Sequence, residues 1–145
     1  MDRKQKMDSK SNKQSFTNEV MLHHLSHPNM VTLYEAFVDP KHFFLEMELC
    51  AGGDIFSHLS TTGRFSEDVT RHILSQLLDV VQYFHDNDVV HRDLKPENIV
   101  FVAQNDSANI RLIDFGETIH VEADRIYDDF GVSYILYMSL SVLCR

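Results

Sequence analysis

Two short polar runs, each entered from an apolar strand signal, constrain this chain more than anything else in it. HRDLKPEN, His91 to Asn98, follows Val89-Val90, and DFG, Asp114 to Gly116, follows Ile110 to Ile113, sixteen residues beyond Asn98. Between them Ile99 to Val102 reads as a further strand fragment and QNDSAN (104–109) as a polar turn. A fold that satisfies both runs must place two carboxylate-bearing loops at the ends of neighbouring strands, where convergent polar groups can meet a ligand.

The residue types narrow the chemistry. Phosphoryl transfer to a hydroxyl needs a carboxylate beside the attacking oxygen, cations bridging the phosphates, and ligands holding those cations. Asp93 is a candidate acceptor for the hydroxyl proton, and Lys95, two residues on, a candidate neighbour of the transferring phosphate. Asn98 offers an amide oxygen and Asp114 a carboxylate to magnesium, which prefers hard oxygen ligands. Pro96 stiffens the loop between base and ligand.

Upstream, SFTNEVMLHHLS (15–26) has the apolar spacing of a short helix, ended by the proline of HPN at His27 to Asn29. VTLYEAF (31–37) and HFFLEMEL (42–49) read as a hairpin around Asp39-Pro40, and Gly52-Gly53 breaks the second strand before a helix from Asp54. The clearest helix follows, with Ser66 as N-cap, acids at Glu67 and Asp68, and a stripe of Val69, Ile73, Leu77, Val80 or Val81 and Phe84, running to about Asp86. His23 and His27 have a helical zinc spacing, but no third ligand is offered nearby, so surface histidines are expected.

With 43% hydrophobic and 24% charged residues and ten phenylalanines, the 145 residues suit one globular domain. The net charge of −9 argues against nucleic acid or an anionic membrane as the main partner and favours a basic peptide. Only residues 1–14 reverse the sign, with Arg3, Lys4, Lys6, Lys10 and Lys13 against Asp2 and Asp8, and a flexible solvated arm is expected there. Cys50 and Cys144 lack a CxxC spacing, no secretory leader is visible, and VSYILYMSLSVLC (132–144) is too short to span a bilayer. A reducing, cytoplasmic setting follows as the expectation.

HRDLKPEN together with the first DFG resembles the eukaryotic protein kinase family, and LKPEN its Ser/Thr branch. The second DFG, Asp129 to Gly131, has no preceding apolar strand and carries no weight. HPNMVTLYEAF and FFLEMELCAGGDIF are similar to segments of the calmodulin-dependent group, including myosin light chain, titin-like and death-associated kinases. The resemblance implies an α+β, protein-kinase-like two-lobe fold, ATP and Mg2+ as cofactors, and a protein substrate, with basic residues near its target Ser/Thr. It further implies that Met47 is the gatekeeper beside the adenine, Glu48 to Cys50 the hinge, and Val100 part of the apolar floor. Leu22, Leu33, His91 and Phe115 fall where the family stacks apolar groups between its lobes. Asp54 and Glu97 fall where basic-directed kinases hold acids, although Asp54 reads equally well as a helix N-cap. Glu19 corresponds to the helix glutamate that pairs with the nucleotide-positioning lysine. Counted back from HPN it lies one residue too close, and strict spacing puts Asn18 there; a one-residue deletion restores Glu19, and otherwise it is a solvated helix acid.

The family's glycine-rich loop and lysine-bearing strand find no counterpart in these residues, so the expected fold is truncated: a partial small lobe and the first part of the large lobe. The expected division is a basic arm at 1–14, a partial kinase domain at 15–131 and a divergent tail at 132–145. Little or no turnover is expected of the isolated chain, with an uncovered apolar stripe on the long helix. The alternative is a non-catalytic, kinase-derived binding module.

Overall fold

The computed structural model describes residues 2–6, 10–104 and 109–121, and the backbone alone of residues 2–6. The second DFG and the tail at 132–145 lie outside the described residues.

The hairpin expected between residues 31 and 49 forms as β2 (Leu33–Val38) and β3 (His42–Met47), antiparallel, with Ala36 opposite Leu45 and Phe37 opposite Phe44. Its turn is set by Asp39, whose carboxylate accepts from the backbone N–H groups of Lys41 (2.6 Å) and His42 (2.7 Å). Such Asx turns replace a backbone hydrogen bond with a side-chain one, which is why Asp-Pro punctuates strands. Alternation then buries Phe43 and Leu45 on the face that meets helix α1 (Lys10–Met21), where Phe16 stacks on Phe43 with ring centroids 4.5 Å apart.

The other edge of β3 departs from the expectation of a solvated arm at residues 1–14. Asp2–Lys6 forms strand β1, antiparallel to β3 with Arg3 opposite Leu45 and Lys4 opposite Phe44, and α1 already begins at Lys10. The sheet order is therefore β1-β3-β2, with β1 at the edge of β3. Composition misled because an edge strand is held by backbone hydrogen bonds, which polar residues make as well as apolar ones.

The second part of the fold is built on the long helix. After α2 (Ile55–Thr62), helix α3 spans Glu67–Asp86, N-capped by Ser66, whose hydroxyl accepts from the Val69 N–H at 3.3 Å. Ile73, Leu77, Val80 and Phe84 are buried along its inner stripe, so the uncovered stripe expected from the sequence is not what forms. They pack against a hairpin of β5 (Ile99–Phe101) and β6 (Ile110–Leu112), all of whose apolar residues are buried. Each such side chain contributes about 1.5–3 kcal/mol by leaving water. Apolar exposure on α3 is confined to Leu78, 64% accessible. A second short ladder joins β4 (Val89–Val90) to β7 (Ile119–His120), closing the chain around the two motif loops.

The two halves are tied at HPN. The Asn29 carbonyl accepts from the Leu112 N–H at 2.8 Å, and the Asn29 amide donates to Gln76 Oε1 (2.6 Å) on α3 and to the Ile110 carbonyl (3.1 Å). Asn29 is buried, so these bonds are needed to offset the cost of taking an amide out of water.

Candidate active site

The ladder β5–β6 fixes where the two motifs meet. Ile113 N–H donates to the Asn98 carbonyl at 2.9 Å, immediately beyond the paired residues Ile99 and Leu112. The end of the first motif and the start of the second therefore leave the same end of one hairpin. Arg92 and Asp114 adopt positive φ of 65° and 63°, conformations that cost a side-chain-bearing residue about 1–3 kcal/mol and that cluster at functional loops. Arg92 is held there by its Nε–H, which donates to the Glu117 carbonyl at 2.6 Å.

Within the first loop, Pro96–Asn98 makes one 3-10 turn with proline at its start, where a missing N–H costs nothing. The turn brings Asn98 back over Asp93: the Asn98 amide donates to the Asp93 carbonyl and to Asp93 Oδ2, both at 2.9 Å. Lys95 Nζ donates to the same Oδ2 at 2.6 Å. Lys95 is held charged above its usual range, chiefly by that bond to Asp93 and less by the fields of Asp93, Asp114 and Glu97. Lys95 and Asn98 both donate to Oδ2 of the Asp93 carboxylate, and Oδ1 is the oxygen offered to a further donor. Because the buried Asn98 engages its NH2 on Asp93, its Oδ1 is the atom left for a cation.

Asp93, Lys95 and Asn98 are thus hydrogen-bonded together, and Asp114 lies near enough for its charge to act on Lys95. One carboxylate and one amide oxygen are hard donors of the kind magnesium takes, with phosphate oxygens and water completing the shell, so the donor set fits that ion. No group of three His, Cys, Asp or Glu suited to a metal occurs among the described residues.

Next to the motif loops, His91 is buried against Phe115, ring centroids 5.4 Å apart, and Phe84 packs on both. Leu22, Leu33 and Phe115 line one cavity of about 230 Å³ between α1 and the sheet, joined there by Met47 and Glu19. Glu19 is only 3% exposed, so it is not a solvated helix acid.

His91 Nδ1 accepts from the Asp93 N–H at 3.2 Å, which places the proton of the neutral ring on Nε2. That buried nitrogen has no hydrogen bond of good geometry among the described residues. Burial pushes the imidazole down from 6.5 to about 4, outweighing the Ile113 backbone and the Asp93 and Asp114 charges, which raise it. The unfolded chain takes up this proton near pH 6.5, whereas the folded chain resists until about pH 4. Stability is therefore full above the upper value and falls as pH drops through that window, by about 3 kcal/mol in all. Urea unfolding of the parent chain and His91→Phe across this range should show a steeper pH slope for the parent; parallel slopes contradict the assignment.

The hinge side is equally defined. Ala51 N–H donates to the Val102 carbonyl and Gly52 N–H to the Phe101 carbonyl, both at 3.0 Å, so the segment after β3 lies along β5 and next to Val100. A Cβ on Gly52 would stand 2.5 Å from Phe101 Cβ and 2.6 Å from the Ala103 carbonyl oxygen, which no backbone can accommodate unmoved. Glu48 N–H donates to the Thr32 carbonyl at 2.9 Å, which fixes the start of this segment against residues 31–32. Burial pushes the half-exposed Cys50 thiol up from 9.0, and it stays protonated at neutral pH. Asp54 caps α2, its two carboxylate oxygens accepting from the Ser57 N–H and hydroxyl, each at 2.7 Å.

Sequence reasoning missed two polar residues here. Arg111 on β6 donates through Nε to both Glu48 carboxylate oxygens, at 3.1 and 3.0 Å, fastening the hinge to the large lobe. A lone arginine between buried Ile110 and Leu112 was the available signal. Asn18 donates to the Gly116 carbonyl at 2.6 Å, a contact across 98 residues that no local pattern announces.

Comparison gives the class: the model of the protein kinase domain family matches residues 2–143, and the chain belongs to that family. It is 38% identical over 128 residues to calcium-dependent protein kinase 14 of Arabidopsis thaliana, covering 88% of this chain and 24% of that protein. It is 37% identical over 145 residues to calcium-dependent protein kinase 33 of the same plant, covering 98% of this chain and 27% of the relative. A putative ribosomal protein S6 kinase alpha-2 of Caenorhabditis elegans is 46% identical over 90 residues, 62% of this chain and 12% of that protein. The chain thus spans about a quarter or less of the length of these curated relatives.

Proposed function

We propose that this chain carries the catalytic loops of a serine/threonine kinase that transfers the γ-phosphoryl group of ATP to hydroxyls of proteins. The observation that carries the reading is the hydrogen-bonded cluster of Asp93, Lys95 and Asn98 beside Asp114. Asp93 Oδ1 takes the substrate hydroxyl proton as its oxygen bonds phosphorus and the bond to the leaving diphosphate breaks. Lys95 offsets charge on the moving phosphoryl group, and Asn98 and Asp114 hold magnesium, which when bound neutralises the phosphates. Met47, the Glu48 carbonyl, Cys50 and Val100 receive the adenine, and Glu19 orders the small lobe from inside. The 145 residues hold no glycine-rich loop, so turnover by them alone is expected to be slow. A reducing, cytoplasmic setting belongs to the same reading, in keeping with a free Cys50 thiol.

The substrate side follows from charge. Glu97 is exposed beside the catalytic loop, while Asp54 is engaged as a helix cap, and the chain as a whole carries −9. A serine peptide flanked by arginines should therefore be phosphorylated about tenfold more efficiently than an acidic one, with the gap narrowing at high salt. Radiolabel transfer from ATP to the two peptides tests this; equal labelling at low salt contradicts it, and labelling of neither, with the peptides still bound, favours a non-catalytic binding module.

A further inference from the structure

Gly116 is gripped on every side by groups from one helix and one carboxylate. Its N–H donates to Asp114 Oδ1 at 3.4 Å, and its carbonyl accepts from the Asn18 amide at 2.6 Å. Ser15, on the same face of α1 as Asn18, lies where any Cβ on Gly116 would go, with its own Cβ only 3.2 Å from that point. The φ of Gly116 is not positive, so what favours glycine here is the closeness of the helix and not an unusual backbone. Asn18 is itself oriented: Gln14 donates to its Oδ1 at 2.8 Å, which turns the NH2 towards Gly116.

We propose that Asn18 is a positioning residue for the metal-binding loop, its amide holding the Gly116 peptide and, through it, the carboxylate of Asp114. The two peptide groups flanking Gly116 are pinned in opposite directions, the N–H towards Asp114 and the carbonyl towards α1. Releasing the carbonyl loosens the backbone at Gly116, and with it the preceding peptide, whose N–H is one of the groups that orient the Asp114 carboxylate. The helix therefore acts on the metal loop through Asn18, while Glu19 faces the interior cavity. The polar line runs Gln14, Asn18, Gly116, Asp114, so Gln14 works only through Asn18.

The inference rests on Asp114 being a metal ligand, and two readouts separate the two claims. In the full chain, magnesium is titrated at fixed ATP, and hydrogen exchange is followed at the backbone amides of 114–118. Asn18→Ala should raise the magnesium midpoint about 5- to 10-fold, the scale of one lost hydrogen bond to an aligned ligand, and speed exchange at 114–118 with the unfolding midpoint nearly unchanged. Gln14→Ala should weaken magnesium dependence about 2- to 3-fold in the parent and not at all in the Asn18→Ala background. Unchanged exchange at 114–118 in Asn18→Ala overturns the tether, whether or not ATP binds. Faster exchange with no magnesium-dependent ATP binding by the parent chain upholds the tether and overturns the kinase reading instead.

Discussion

Asp114→Asn should abolish magnesium-dependent ATP binding by this chain, weakening it by about 100-fold or more, because the site then keeps two neutral amide oxygens and no carboxylate. The loss should be specific to the metal. Asp114 sits at the exit of β6 in a positive-φ conformation, with its Oδ1 accepting from the Gly116 N–H. Asparagine tolerates that backbone region as well as aspartate does, so the hairpin β5–β6 and the core beneath it should survive the substitution. Calorimetric titration of ATP into parent and variant, with magnesium and then with a chelator, checks the expectation. Equal affinity of the two proteins in magnesium contradicts the assignment of Asp114.

Asp93→Asn should show the opposite separation, with binding retained and chemistry lost. A positioned general base contributes about 10²- to 10⁴-fold, so a chain whose parent rate is already slow should fall to background in radiolabel transfer. ATP affinity should stay within about twofold, since the proposed role of Asp93 is towards the hydroxyl and not the nucleotide phosphates. Lys95 loses its short ion pair in this variant, yet it is partly exposed and finds water instead. Parent-like phosphorylation by Asp93→Asn removes Asp93 from the chemistry.

How far the sequence announces this arrangement depends on whether a residue's partner is local. Asp93, Lys95 and Asn98 lie within six positions, and their spacing alone forces a tight loop. Asp114 is legible because an apolar strand leads into it. The inner stripe of α3 and the hairpin turn at Asp39 follow from periodicity and side-chain capping, both of which are properties of short windows. Strand β1 was hidden for the converse reason: MDRKQKM has no apolar alternation, and its pairing to β3 is a matter of backbone hydrogen bonds across forty residues. Arg111 with Glu48, Asn29 with Gln76 and Asn18 with Gly116 belong to the same class, polar contacts whose partners are supplied by folding. The spacing argument that put Asn18 where Glu19 was wanted pointed at the right place without revealing the bond.

The buried stripe of α3 shows a related limit. The absence of further large-lobe segments from the sequence predicts an exposed stripe, yet the β5–β6 hairpin, His91 and Phe115 pack with the core that buries Ile73, Leu77, Val80 and Phe84. Short strands of alternating Ile, Val and Leu are individually weak signals, and their joint capacity to close a core emerges only once they pair.

The proposed convergence of the two motif loops on one metal-bound triphosphate is tested directly with manganese in place of magnesium, the two sharing oxygen donors. Amide signals of the chain should be recorded with ATP and trace manganese, whose unpaired electrons broaden only nearby resonances. Broadening that strikes residues 93–98 and 113–116 together, and is displaced by excess magnesium, is the predicted result. Broadening of one loop without the other, or of neither, contradicts a shared site.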